Sequence, residues 1–326
     1  MTKLTVALPL LLILSALSLV ASLTFGSVPL SLGEITSCLI GQCENTVNQV
    51  VIWELRVPRL LVGFVAGAGL SCAGAMLQNT TRNNLADPYI FGIVAGAGLG
   101  ATIAHVLLAN YISIALPLGA FIGALISIII VVLVAKSLKR IDQVLLTGIA
   151  ISFMFSAATQ FLLYMSEPFA TNRIMFWLMG SLANVSMPDF YLIFIVVSLC
   201  ITIMLALHRQ IDALLLGESS AQSLGVNTNN IRLLMFGLCA AITATIVAYC
   251  GGIGFVGLMV PHIVRKIIGV TLVPLLVGST LVGGIFLVWV DVIARSAMNE
   301  VEIPIGIITS ALGSVFFILI MSKRIK

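Results

Sequence analysis

The sequence predicts an all-α, polytopic membrane protein with about ten transmembrane helices. Three observations predict it. Of 326 residues, 60% are hydrophobic and only 9% are charged, with a mean hydropathy of +1.19. A soluble domain is about 45–50% apolar and about 25% charged. Apolar runs near the roughly 20 residues needed to cross a bilayer recur along the whole chain. These runs are continuous, without the alternation of a lipid-facing β-strand. The composition excludes an ordinary soluble enzyme, a disordered chain and a nucleic-acid binder. No connection is long enough for a soluble domain, so residues 1–326 read as one transmembrane domain.

The first run, 4–25, follows Lys3. Val20-Ala21-Ser22 loosely resembles a signal-peptide cleavage site, but the apolar stretch exceeds the 7–15 residues typical of a signal peptide and reads as a retained span. The second, 60–79, carries Gly63, Gly67, Gly69 and Gly74. The third, 89–108, follows Asp87-Pro88 and repeats glycine at 92, 96 and 100. The fourth, 116–135, opens with Gly119 and Gly123 and stops before Lys136. Small residues at such spacings let helix backbones approach closely. The fifth and sixth are 144–165 and 191–207. The seventh, 233–250, follows Arg232. The eighth, 253–268, is short and glycine-rich at its start. The ninth is 272–293, and the tenth, 305–321, follows Pro304.

Basic residues set the orientation. With the N-terminus inside, Lys3, Arg82, Lys136, Lys139, Arg140, Arg209, Arg232, Arg265, Lys266, Lys323, Arg324 and Lys326 are cytoplasmic, and Arg56, Arg59, Arg173 and Arg295 are outside: twelve against four. Both termini are then cytoplasmic. The longest outer connections are 26–59 and 166–190, and the longest inner one is 208–232. Within the second outer connection, residues 172–180 are apolar but too short to span. They form either a surface helix with Trp177 at the headgroups or a re-entrant helix capping the mouth of a pathway. Cys72, Cys200, Cys239 and Cys250 fall within spans as small buried hydrophobes. Cys38 and Cys43 share an outer loop and are close enough to pair in an oxidising periplasm. No His lies near them for a metal site.

Catalytic patterns are missing. The three histidines, His105, His208 and His262, form no metalloprotease motif, and there is no Cys-x-x-Cys or Gly-x-Ser-x-Gly. Without a Gly-Lys-Ser/Thr sequence there is no phosphate loop, so ATP hydrolysis by that route is excluded. One acid, Asp291, lies inside a span near its outer end, with Arg295 four residues on as a local partner. Ion-driven carriers often keep buried charges for function. A conduit powered by a separate ATPase fits better than an ion-coupled secondary transporter or a structural scaffold.

Seven motifs resemble one family. They are Arg56-Val57-Pro58-Arg59; Gly74-Ala75-Met76-Leu77-Gln78; Asn84-Leu85-Ala86-Asp87-Pro88 with Gly92; Leu216-Gly217-Glu218 with Ala221 and Leu224-Gly225; the run Gly254-Phe255-Val256-Gly257-Leu258-Met259-Val260-Pro261-His262-Ile263-Val264-Arg265; Asp291 with Ala294-Arg295; and Glu302-Ile303-Pro304-Ile305-Gly306. They resemble the FecCD family, the permease subunits of ABC importers for iron–siderophores, haem and cobalamin, and the likeness covers nearly the whole chain. It implies a type II ABC importer fold in a bacterial inner membrane. The partners it implies are a second permease chain (identical or paralogous), two cytoplasmic ATPases that hold the ATP and Mg, and a periplasmic substrate-binding protein. This chain then binds no cofactor or metal of its own. The substrate expected is an iron–siderophore, with haem, cobalamin or a metal oxyanion as alternatives.

The resemblance also implies roles. Arg56, Arg59 and Arg295 would dock carboxylates of the binding protein. Residues 208–232 would form the ATPase coupling loop, two short helices at 213–216 and 219–224 with breaks at Gly217 and Gly225. Leu215, Leu216, Glu218, Ala221 and Leu224 would make its contacts. Asn83, Asn84, Leu85, Asp142 and Gln143 would form a cytoplasmic gate, with Asn84 standing where the family has proline. Ser152, Ser156, Gln160, Met175, Thr309 and Ser310 would line the path, together with a short helix at 174–182.

Overall fold

The computed structural model describes residues 2–26, 30–43, 45–108, 112–137, 141–298 and 301–324. The described residues contain helices and no strand. In chain order these are α1 (Thr2–Thr24), α2 (Leu32–Leu39), α3 (Thr46–Val50), α4 (Val57–Thr81), α5 (Ile93–Leu107), α6 (Ile112–Ser137), α7 (Ile141–Met165), α8 (Pro168–Leu178), α9 (Met187–Ala206), α10 (His208–Leu216), α11 (Glu218–Ser223), α12 (Thr228–Cys250), α13 (Val256–Ile268), α14 (Leu272–Ser296) and α15 (Ile305–Arg324). All ten expected spans coincide with helices: α1, α4 to α7, α9 and α12 to α15. Six stretches are long and apolar enough to cross a membrane by themselves, and α1, α5 and α15 contribute shorter apolar stretches. The thirteen residues of α13 fall well short of a full crossing.

The outer connection 26–59 is more ordered than its sequence suggests. Ser31 and Glu34 form a capping box that starts α2. The Ser31 backbone N–H and hydroxyl hold the Glu34 carboxyl below its ordinary value. Cys38 and Cys43 are joined in a disulfide. Beyond it, α3 runs through a π-helical turn, Val51–Arg56, straight into α4, giving one helix of 36 residues, Thr46–Thr81. Pro58 therefore does not open the helix. A proline inside a helix lacks an N–H and crowds the carbonyl four residues back; the wider turn just before it, closed by Val57 N–H on the Ile52 carbonyl, relieves both.

The 36-residue helix is the axis of the fold: from Ala66 to Thr81 every residue of α4 is buried. Around it pack α9, α12, α13 and α14. Glycine sets the spacing, as the sequence pattern predicts. A Cβ on Gly67 would lie 2.2 Å from the Gly283 carbonyl oxygen, and one on Gly74 would lie 1.9 Å from that of Gly257. Ser71 donates to the Ser279 carbonyl at 2.6 Å across the same seam. A second layer repeats the device: Gly96 and Gly100 of α5 press on Gly123 and Gly119 of α6, and α7 packs against both. Helix α1 lies on α14, where Trp289 Nε1 donates to Ser18 Oγ at 3.1 Å.

Two boundaries differ from expectation. The short outer helix spans 168–178 rather than 174–182, because Pro168 suits a first helical turn. The first coupling helix begins at His208, directly after α9, rather than at 213.

Candidate functional site

Polar chemistry gathers at the two ends of α4. At the first end, Arg59 Nε donates to Asp291 Oδ1 at 2.8 Å, and Arg59 Nη1 lies 2.9 Å from both oxygens of Glu302. Arg295 Nε sits 3.5 Å from Asp291 Oδ2, and its Nη2 donates to the Ser22 carbonyl at 2.8 Å. Arg56 is 5% exposed and donates to the Leu23 carbonyl. The three arginines expected to dock a partner are thus brought together, but as buried groups committed to internal acceptors rather than free surface cations. The local Asp291–Arg295 pair is present, with Arg59 as a nearer second partner. The Glu302 side chain is the exposed member, at 48%. Beside it opens a cleft of about 800 Å³ lined by Arg173, Trp177, Asp189, Tyr249 and Glu302.

At the other end, α10 and α11 meet at Gly217 (φ +128°), and Gly225 (φ +78°) follows α11. Both breaks fall where the sequence places them, in a region that side chains with a Cβ rarely adopt. Leu215, Leu216 and Leu224 are exposed. Ala221 is not: it is fully buried against Ala213 and Leu214, a packing residue rather than a contact. Glu218 is already paired, 3.2 Å from Arg232 Nη1. Besides the packing of α10 on α4, α9, α12 and α14, three polar contacts hold this helix pair to the body. Glu218 reaches α12, Asp212 Oδ1 accepts the N–H of Leu272 at the start of α14 at 3.3 Å, and Arg82 Nε donates to the Leu214 carbonyl at 2.9 Å.

The turn between α4 and α5 holds the first expected gate segment. Asn83 Oδ1 accepts the Leu85 N–H at 2.9 Å, giving the Asx-type turn that asparagine supplies without proline. Asn84 joins a node around Arg265, whose guanidinium also reaches Gln78 and Asn79. Gln78 in turn donates to the Gly257 carbonyl at 3.1 Å. Asp87 is buried and accepts the Tyr89 N–H at 2.8 Å. Desolvation pushes its pKa up to about 6, against the lowering effect of that bond. Gln143 is exposed at the start of α7, and the side chain of Asp142 lies outside the described residues.

The expected path residues divide. Gln160, Met175 and Ser310 are exposed, and Ser156 is half-buried. Ser152 turns inward, bonding the Gly148 carbonyl beside Gly92. Thr309 is fully buried and bonds back to the Gly306 carbonyl, so it lines no open face. Among the described residues no group of three or more His, Cys, Asp or Glu is placed to hold a metal. Sequence reasoning missed Arg82, Asp212 and Arg265 as site residues. Arg265 closes a motif run and Arg82 follows a span, but their partners are 181 and 132 residues distant.

Residues 11–323 match the FecCD transport family. The chain is 36% identical to the vitamin B12 import system permease BtuC of Vibrio cholerae, covering 86% of this chain and 85% of that protein. It is 33% identical to the Fe(3+)-citrate import system permease YfmE of Bacillus subtilis, covering 93% of this chain and 90% of the relative. A solved inward-facing structure assigned as a metal-chelate type ABC transporter superposes with a TM-score of 0.87 at 32% identity, covering 97% of this chain and 99% of that one.

Proposed function

The chain belongs to the FecCD transport family, and from that premise we propose that it carries an iron chelate of the siderophore class inward across a bacterial inner membrane. It is a permease subunit of an ABC importer, and its several apolar helices make it a multi-pass membrane protein. The observation that carries the reading is the pairing of two ends on one axis. Exposed Leu215, Leu216 and Leu224 at the Arg82 end suit the groove of a cytoplasmic ATPase. The arginine–carboxylate cluster at the Arg59 end suits an acidic docking partner. The skew of Lys and Arg supports a cytoplasmic Arg82 end and cytoplasmic termini.

In this reading the partners are a second permease chain, two ATPases holding ATP and Mg, and a periplasmic binding protein. Arg59 docks by exchanging Glu302 for a partner carboxylate. Asn83, Asn84, Leu85, Asp142 and Gln143 form the inner gate. Gln160, Met175, Ser156 and Ser310 face the path between two permeases, where weakly binding polar and thioether groups let a large chelate pass. The iron-citrate relative and the metal-chelate transporter support an iron chelate; the vitamin B12 relative supports cobalamin as the second reading. The test is ATPase activity and uptake in vesicles containing the chain, its ATPase and its binding protein, with ferric siderophore, haem and cobalamin offered in turn. Uptake of ferric siderophore alone is expected. Uptake driven by a sodium or proton gradient, without the ATPase, would overturn the reading.

A further inference from the structure

Arg82 ends α4 in an unusual state. Its φ of +52° and ψ of +29° are left-handed, a conformation that crowds any residue with a Cβ and is normally left to Gly or Asn. Its N–H still closes the helix on the Asn79 and Gln78 carbonyls. The result is that the side chain leaves the axis and reaches α10. Both Nε and Nη2 donate to one carbonyl, that of Leu214. Leu214 lies in the last turn of α10, where carbonyls lack partners four residues on and the helix carries its negative end; its carbonyl otherwise takes the long 3.3 Å bond from the Gly217 N–H. Gly217, the break before α11, is adjacent: a Cβ there would stand 3.9 Å from Arg82 Nη2.

We propose that Arg82 is a positioning residue for energy coupling: its two-pronged bond to Leu214 clamps the α10–α11 pair to the end of α4. A displacement imposed on that pair then moves α4 instead of being absorbed at Gly217. The remaining ties, Asp212 to α14 and Glu218 to α12, hold the flanks of the pair. Helix α10 also packs on α4, and Arg82 adds to that packing the hydrogen bonds that fix the pair to the end of the 36-residue helix, about 54 Å long at 1.5 Å per residue. Arg59, with its partners Asp291 and Glu302, sits toward the far end of that helix. The inference rests on the reading of α10–α11 as the ATPase-facing element.

Two variants test it. Arg82→Asn tolerates the left-handed backbone and preserves the end of α4, but has no guanidinium. Arg82→Lys restores one donor. In the full-length chain in lipid nanodiscs, amide exchange at residues 214–217 is expected to speed at least tenfold in Arg82→Asn and to recover in part in Arg82→Lys. In the reconstituted importer, Arg82→Asn is expected to co-purify with the ATPase while chelate imported per ATP hydrolysed falls at least tenfold. Unchanged exchange overturns the clamp. Unchanged import per ATP in an assembled Arg82→Asn complex overturns the coupling role. A wild-type complex that binds no ATPase overturns the functional reading and the coupling role with it, while the exchange measurement still decides the clamp.

Discussion

Arg59 Nε and Asp291 Oδ1 meet at 2.8 Å, joining α4 to α14 across 232 residues of sequence. Asp291 is 3% exposed, so neither charge is well hydrated. Removing one member of a buried pair leaves an uncompensated charge, a loss of about 3–5 kcal/mol. Arg59→Ala is therefore expected to lower thermal stability in detergent far more than Glu302→Gln, whose carboxylate is half exposed.

Glu302 also competes with any acidic partner for the Arg59 guanidinium. An exposed pair contributes up to about 1 kcal/mol, so Glu302→Gln is expected to tighten binding-protein association roughly threefold to fivefold. Added salt weakens that association in the wild type. Surface plasmon resonance on nanodiscs measures both. A Glu302→Gln permease that binds more weakly than wild type would refute the exchange.

Glycine seams give a contrast within one residue type. Gly100→Val would put a Cβ 2.0 Å from the Gly119 carbonyl oxygen, whereas a Cβ on Gly237 meets nothing within 4 Å. Overpacking of this kind costs about 1–3 kcal/mol or more, since the obstacle is backbone. Gly100→Val is expected to lower the melting temperature and the yield of folded protein. Gly237→Ala should be neutral or slightly stabilising, by the helix propensity of alanine. Equal behaviour of the two would contradict the packing.

The fold was legible because its signal is local. Each span announces itself by composition, and the glycine spacings 67/74 and 96/100 mark seams that the structure confirms. The breaks at Gly217 and Gly225 were readable for the same reason. What stayed hidden depends on partners far away in sequence. Nothing local says that Arg56 turns to Leu23, that Arg59 bonds Asp291, or that Thr309 faces its own helix. The π turn before Pro58 was equally hidden, since residues 51–56 read as ordinary loop or helix. Arg82 was hidden twice over, by its remote partner and by a left-handed backbone that its residue type disfavours.

The coupling surface separates from its own core. Leu216 and Leu224 are 71% and 65% exposed, while Ala221 between them is fully buried. A few apolar anchors usually dominate an interface, each contributing more than about 1 kcal/mol. Leu216→Glu and Leu224→Glu are expected to weaken ATPase co-purification about tenfold or more with an unchanged melting temperature. Ala221→Glu should instead unfold the pair and lower the melting temperature. If the leucine variants retain the ATPase, those side chains are not its contact.

Asp87 supplies a pH-dependent test of the turn between α4 and α5. Its pKa rises from 3.8 to about 6 through burial. The folded chain then keeps a proton that the unfolded chain releases near pH 4. Stability therefore falls as pH rises between about 4 and 6, and levels off above the folded value, where both states are ionised. A shift of about two units corresponds to roughly 3 kcal/mol. Asp87→Asn keeps an oxygen for the Tyr89 N–H but carries no charge. The variant is expected to be the more stable form at pH 7.5 and equal to wild type at pH 4. Glu34, whose pKa is lowered, loses its stabilising effect as pH falls, but equally in both proteins, so the difference between their unfolding curves isolates Asp87. Parallel curves across this window would show that Asp87 is not buried as a desolvated carboxylate.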